Sequence, residues 1–238
     1  MTHIRQAGIT IFVLIFTLLL FESSRLDIWV QHWLYDAVNH HWLWSKAEPV
    51  TRFLLYDGIK GLLIIFALCL FIALVFFRRM PPVQSRLPGI RIVLLSLLVV
   101  PMVVGGLKAT TDVACPAGLQ LFGGSQPYTR LFETYSDKSR PQNRQRCFPA
   151  GHASGGFALL SLCFLFREKR NQRVALGLAV TVGWLMGGYK MVIGDHFLSH
   201  TLVTMELAWL FINLIAFFEY HGRAVFAAID NVPAKIPI

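Results

Sequence analysis

Six apolar blocks alternate with short polar stretches along the chain, at residues 7–21, 59–77, 92–107, 152–166, 174–193 and 199–218. A bilayer core about 30 Å thick needs roughly 20 such residues per helix, so each block predicts one crossing. The first block runs into Glu22-Ser23-Ser24, a poor small-x-small cleavage site, and predicts a retained helix and not a removed signal peptide. Residues 26–44 differ in kind. Trp29, Trp33, Trp42 and Trp44 are interleaved with Gln31, His32, Asp36, Asn39, His40 and His41, a pattern that predicts an amphipathic helix lying in the membrane interface. The expected fold is all-α: a bundle of six transmembrane helices, an amphipathic interfacial helix, and one long loop at 108–150. No internal repeat or linker divides it, so residues 1–238 read as a single membrane domain.

Composition agrees with this pattern. Of 238 residues 55% are hydrophobic and 15% charged, where a soluble domain carries about 25% charge. The net charge of +9 could suit nucleic acid, but no zinc-finger spacing, Walker loop or basic tail accompanies it. The excess fits anionic headgroups or a phosphorylated substrate better, which predicts lipid partners and no nucleic acid. Six crossings place both termini on one side. Lys and Arg divide eleven to eleven between the sides, but six on the non-terminal side fall in the long loop, from Lys108 to Arg146. The tight hairpins at 78–91 and 167–173 carry four each. The expectation is therefore a multi-pass inner-membrane protein with cytoplasmic termini and an extracytoplasmic long loop.

Cys69 and Cys163 lie in apolar blocks, where a thiol behaves as a small hydrophobe. Cys115 and Cys147 lie in the long loop, and an oxidising compartment would let them pair. Closing that loop of about 30 residues is worth about 3–4 kcal/mol in the chain-entropy model.

Three polar clusters converge on the loop side: Lys108; Arg146 with Pro149-Ala150-Gly151-His152; and Lys190 through His196 to His200. Pro and Gly at a helix start leave backbone N–H groups open to an anion, and a histidine there can move a proton. Read alone, the same Pro and Gly could simply punctuate a helix start. Together the clusters resemble the three-part signature of the PAP2 superfamily, the type-2 phosphatidic acid phosphatases and their vanadium haloperoxidase relatives. That signature reads Lys-x6-Arg-Pro, Pro-Ser-Gly-His and Ser-Arg-x5-His-x3-Asp. Here Lys108 leads by the same spacing to Cys115-Pro116, Ala150 stands for the serine, and the third part has Tyr189, Lys190, His196 and His200. The resemblance spans about residues 50–220.

The resemblance implies a lipid phosphate phosphatase with His196 as nucleophile and His152 as general acid, and with Lys108, Lys190, Gly151 and Arg146 around the phosphate. It implies no metal and no cofactor. Cysteine in place of the motif-one arginine removes a bidentate clamp, which Arg146 or Arg140 could replace. The missing motif-three aspartate leaves His200, Asp195 and Glu206 as candidates to orient His196. Rival readings are weaker. His196-x3-His200 with Asp195 has metal-ligand spacing but no third convergent ligand. Ser154 with His200 resembles a rhomboid protease pair, but Ser154 sits too near its helix start. A phosphotransferase, or a non-catalytic lipid-binding or transport protein, fits the same scaffold.

Overall fold

The computed structural model describes residues 2–133, 135, 141 and 143–230. The chain is 72% helical. Among the described residues, five helices are long and apolar enough to cross a membrane. They are α1 (Thr2–Ser23), α3 (Pro49–Phe76), α4 (Leu87–Thr110), α6 (Lys169–Val192) and α7 (Leu198–Asp230). Between α1 and α3 lies the short helix α2 (Leu26–His32). The expected fourth crossing is the shorter helix α5 (Gly151–Leu165), α-helical to Ala158 and wound as a 3-10 helix from Leu159.

The amphipathic stretch departs from expectation. Its helix stops at His32, and Tyr35–Asp36 (β1) pairs antiparallel with His41–Trp42 (β2) as a small hairpin. His40 at the turn has a φ of 54°, and Asp36 accepts from the Val38 and Asn39 amides at 2.9 and 3.1 Å. Local turn chemistry of this kind competes with helix. The rings of Tyr35, Trp42 and Phe122 then pack together, with centroids 4.9 to 5.4 Å apart.

The core forms where α4, α5, α6 and α7 meet, around Phe157, Val100, Val104 and Ile212, all essentially inaccessible. Two glycines permit the closest approach of α5 to α6. A Cβ on Gly156 would lie 2.8 Å from Gly183 Cα, and one on Gly183 would lie 2.2 Å from the Phe157 ring. Such small-residue contacts let membrane helices gain dispersion energy where no hydrophobic drive exists between them. Helix α1 packs along α7, where Thr17 donates to Glu206 Oε1 at 2.7 Å. No residue of the 58–76 stretch of α3 is buried, so that helix stands at the edge of the bundle.

Candidate phosphate site

The C-terminal end of α4, the start of α5 and the link from α6 to α7 meet at one end of the bundle. Three devices hold them there. First, Cys115 and Cys147 form a disulfide, and Cys147 N–H donates to Val113 O at 3.0 Å. Second, the Ala150 amide donates to Thr204 Oγ1 and to His200 O on α7, at 2.9 and 3.2 Å. Third, the α6–α7 link turns at Gly194, whose φ is +76°. A Cβ there would meet the Trp42 indole at 2.3 Å, so only glycine fits beneath this ring. The hairpin from the amphipathic stretch thereby forms a lid over the residue two before His196.

His196 is 2% exposed. Its ring centroid lies 5.9 Å from that of His152 and 5.7 Å from that of His200. Its Nδ1 faces Cys147 Sγ at 3.6 Å, and its Nε2 has no hydrogen-bond partner. A disulfide sulfur carries no proton, so a hydrogen bond along this contact runs from Nδ1–H to sulfur and leaves the lone pair on Nε2. Burial, followed by the neighbouring His200 and Lys108, pushes the His196 pKa well below its ordinary 6.5. The ring is neutral at neutral pH, as a nucleophile requires.

The candidates for orienting His196 are sorted by their partners. Asp195 is held by two lysines, Lys190 to Oδ2 and Lys46 to Oδ1, each at 2.9 Å. Burial raises its carboxyl, but the two lysines outweigh that and hold it below the usual carboxylate range. Glu206 bonds to Thr17 on α1. His200 hydrogen-bonds the Cys147 backbone and packs edge-on against Phe148 and Phe197, with centroids 5.2 and 5.3 Å away. Its remaining nitrogen, Nδ1, is buried without a partner. Among the described residues, the group in hydrogen-bond range of His196 Nδ1 is thus the disulfide sulfur, which the family motif does not contain.

The anion-binding candidates separate as well. Lys108 and His152 line one cavity of about 430 Å³ with Gly151. The Lys108 stem passes over Gly151, where a Cβ would lie 3.7 Å from its Cδ. Lys190 is buried beside Asp195. Arg146 is exposed, pairs through its backbone with Val113, and is not among the residues lining this cavity. Arg140 lies outside the described residues. Two groups escaped the sequence. Arg144 donates to the Thr110 and Ala109 carbonyls at 2.7 and 3.4 Å, capping α4 next to Lys108. Lys60 on α3 lines the Lys108–His152 cavity. No motif spacing marks either one, and only the packing of distant segments reveals them.

Cys147 Sγ and the rings of His196 and His200 come within 4.8 Å of one another, the spacing of a metal site. The sulfur is bonded to Cys115 and offers no thiolate, so two imidazoles remain of that set.

With this geometry in place, the family comparison is decisive. The PAP2 superfamily model matches residues 89–222. The chain belongs to the PAP2 superfamily. No curated protein and no solved structure matches it at a significant level. The match begins inside α4 and covers Lys108, His152, Lys190, His196 and His200, but leaves α1 to α3 outside. Against the signature given above, this chain's departures are substitutions at unchanged spacing: Cys115 for the motif-one arginine, Ala150 for the motif-two serine, and Tyr189, Lys190 and His200 for the motif-three serine, arginine and aspartate.

Proposed function

We propose that this PAP2 protein is a membrane-embedded phosphatase that removes phosphate from a lipid phosphate or diphosphate through a phosphohistidine. The observation that carries the reading is the pairing of His152 with a buried, neutral His196 whose Nε2 is unpartnered, beside Lys108. In the first half-reaction Nε2 of His196 attacks phosphorus and the bond to the lipid oxygen breaks. His152 protonates that oxygen, releasing the lipid alcohol. In the second, His152 takes a proton from water, the oxygen attacks phosphorus, and the P–N bond breaks to release phosphate. Lys108, Lys190 and the amides near Gly151 balance the charge on the equatorial oxygens. If a second lipid hydroxyl replaces water, the same first half serves a phosphotransferase.

The membrane placement belongs to the same proposal. Eight α-helical and seven 3-10 residues of α5 span about 26 Å, close to the hydrocarbon thickness, because the 3-10 winding rises further per residue. This supports a sixth crossing, which puts both termini on one side. The four Lys and Arg residues in each of the hairpins 78–91 and 167–173 favour the cytoplasmic side for the termini, and with it a site at the outer face of the inner membrane.

The test is purified protein against phosphatidate, phosphatidylglycerophosphate, a polyprenyl diphosphate and a lipid A phosphate, with released phosphate measured. Vanadate-sensitive release that disappears in His196→Ala supports the phosphatase. No turnover on any of the four overturns it in favour of a lipid-binding protein. Loss of activity to chelators would favour a metal mechanism.

A further inference from the structure

Lys60 and Lys108 sit on different helices yet face one cleft, and each is followed deeper in its helix by an apolar stripe. On α3, Leu63, Ile64 and Ala67 lie three, four and seven residues after Lys60. On α4, Pro101 and Leu97 lie seven and eleven residues before Lys108. All five line the same cavity of about 430 Å³ as the two lysines, Gly151 and His152. Spacings of three, four, seven and eleven keep residues on one helix face. At 1.5 Å per residue the stripes reach roughly 10 to 16 Å below the cations. Ile64 is 52% exposed, and no residue of the 58–76 stretch of α3 is fully buried. The apolar wall therefore continues onto the face that α3 presents to lipid.

The cations of this region are unequally engaged. Lys190 and Lys46 are both paired with Asp195. Arg146 does not line the cleft, and the motif-one arginine is a disulfide-bonded cysteine. Among the described residues no carboxylate forms an ion pair with Lys60.

Resting on the phosphatase reading, we propose that Lys60 is a headgroup-binding residue that takes up part of the missing arginine's work. Its ammonium contacts the substrate phosphate beside Lys108. The stripes on α3 and α4 hold the upper part of an acyl or prenyl chain. The ligand bound there is the phosphomonoester or diphosphate lipid of the phosphatase reading, with its headgroup held by both lysines. A cationic end joined to an apolar wall is complementary to that shape and charge, whereas a soluble phosphate ester would leave the wall unused.

Binding can be read apart from turnover in the His196→Ala background. Dissociation constants for dioctanoyl phosphatidate, dioctanoylglycerol and inorganic phosphate are measured for His196→Ala alone and with Lys60→Ala, Lys60→Arg or Ile64→Trp. Loss of one charge-assisted contact predicts about tenfold weaker phosphatidate binding with Lys60→Ala and recovery with Lys60→Arg. Binding of the neutral dioctanoylglycerol should not change. Ile64→Trp should weaken phosphatidate binding but not inorganic phosphate binding. Equal phosphatidate affinity with and without Lys60 overturns this proposal and leaves the phosphatase reading standing. An equal loss for the neutral lipid also overturns it, because Lys60 would then act by packing. Failure of His196→Ala itself to bind phosphatidate, with its melting temperature intact, overturns the proposal together with the reading beneath it.

Discussion

Cys147 Sγ lies 3.6 Å from Nδ1 of His196, so the disulfide that ties the motif-one segment to the motif-two segment also touches the histidine of motif three. In this chain the cysteine at the motif-one arginine position is covalently joined to the residue that faces His196, the proposed nucleophile. Three segments distant in sequence are thereby fixed relative to one another at the proposed phosphate site, where in-line approach demands fixed geometry.

The first prediction concerns that bridge. Cys115→Ala with Cys147→Ala should lower stability by about 3–4 kcal/mol, from the entropy of the loop it closes. It should also lower kcat by about tenfold or more through loss of His196 alignment, with a smaller change in KM. Reductant should reproduce both effects in the wild type and leave the double variant unchanged. Thermal melts and steady-state kinetics in detergent, with and without reductant, check this. A wild type that keeps its kcat when fully reduced contradicts it.

The second follows from the burial of His196, which drives its pKa well below 6.5. His196 stays unprotonated as pH falls through the ordinary histidine range, so with His196 as the proposed nucleophile the rate of phosphoenzyme formation should show no acid limb near pH 6.5. The stability contributed by this neutral buried ring is present above the unfolded value of about 6.5 and is lost as pH falls below it. Rapid-quench measurement of phosphoenzyme formation across pH decides the matter, and a limb centred near 6.5 would show an exposed, ordinary histidine.

A third prediction comes from Asp27 on α2. Its carboxylate accepts from the Ser199 amide at 2.9 Å and from the Ser199 hydroxyl, capping the start of α7 just after His196. Burial raises its pKa to about 6 from 3.8, against the lowering by these Ser199 bonds. The folded protein therefore holds the proton more tightly than the unfolded chain. Its stabilising effect is full below about pH 4 and declines as pH rises through 6, a difference of about 3 kcal/mol. Asp27→Asn keeps an acceptor for the Ser199 amide and should flatten the melting temperature over this window. Asp27→Ala removes the cap as well and should cost about 1 kcal/mol or more. An unaltered pH slope in Asp27→Asn would place the titration elsewhere.

The fourth tests the closest helix contact. Gly183→Ala places a methyl 2.2 Å from the Phe157 ring, which is itself fully buried. Overpacking of this kind costs about 1–3 kcal/mol. Adding Phe157→Leu should recover part of the loss by making room, a coupling that a double-mutant cycle on melting temperatures measures. Strict additivity of the two substitutions would mean that α5 and α6 separate instead of clashing.

Much of this protein was legible in its sequence because two signals are local. Apolar runs long enough for a bilayer mark α1, α3, α4, α6 and α7 whatever surrounds them, since an unpaired backbone in lipid must close its own hydrogen bonds. The spacings from Lys108 to Pro116, from Pro149 to His152 and from Lys190 to His196 are likewise written along the chain, and all lie within the residues that match the PAP2 superfamily. Tertiary structure decided what those residues touch. Asp195 stands next to His196 in sequence, yet its carboxylate goes to Lys46 and Lys190. Glu206 accepts through Oε1 from Thr17, 189 residues away in sequence. The stretch at 26–44 became a short helix and a hairpin, because Asp36 caps a turn and Trp42 closes over Gly194. Lys60 belongs to no motif and joins the site only because α3 lies against α4. Local pattern determines which segments enter the membrane and which groups can do chemistry. The partner of each buried polar group is a long-range choice, made by whichever helix brings the better hydrogen bond or charge to it.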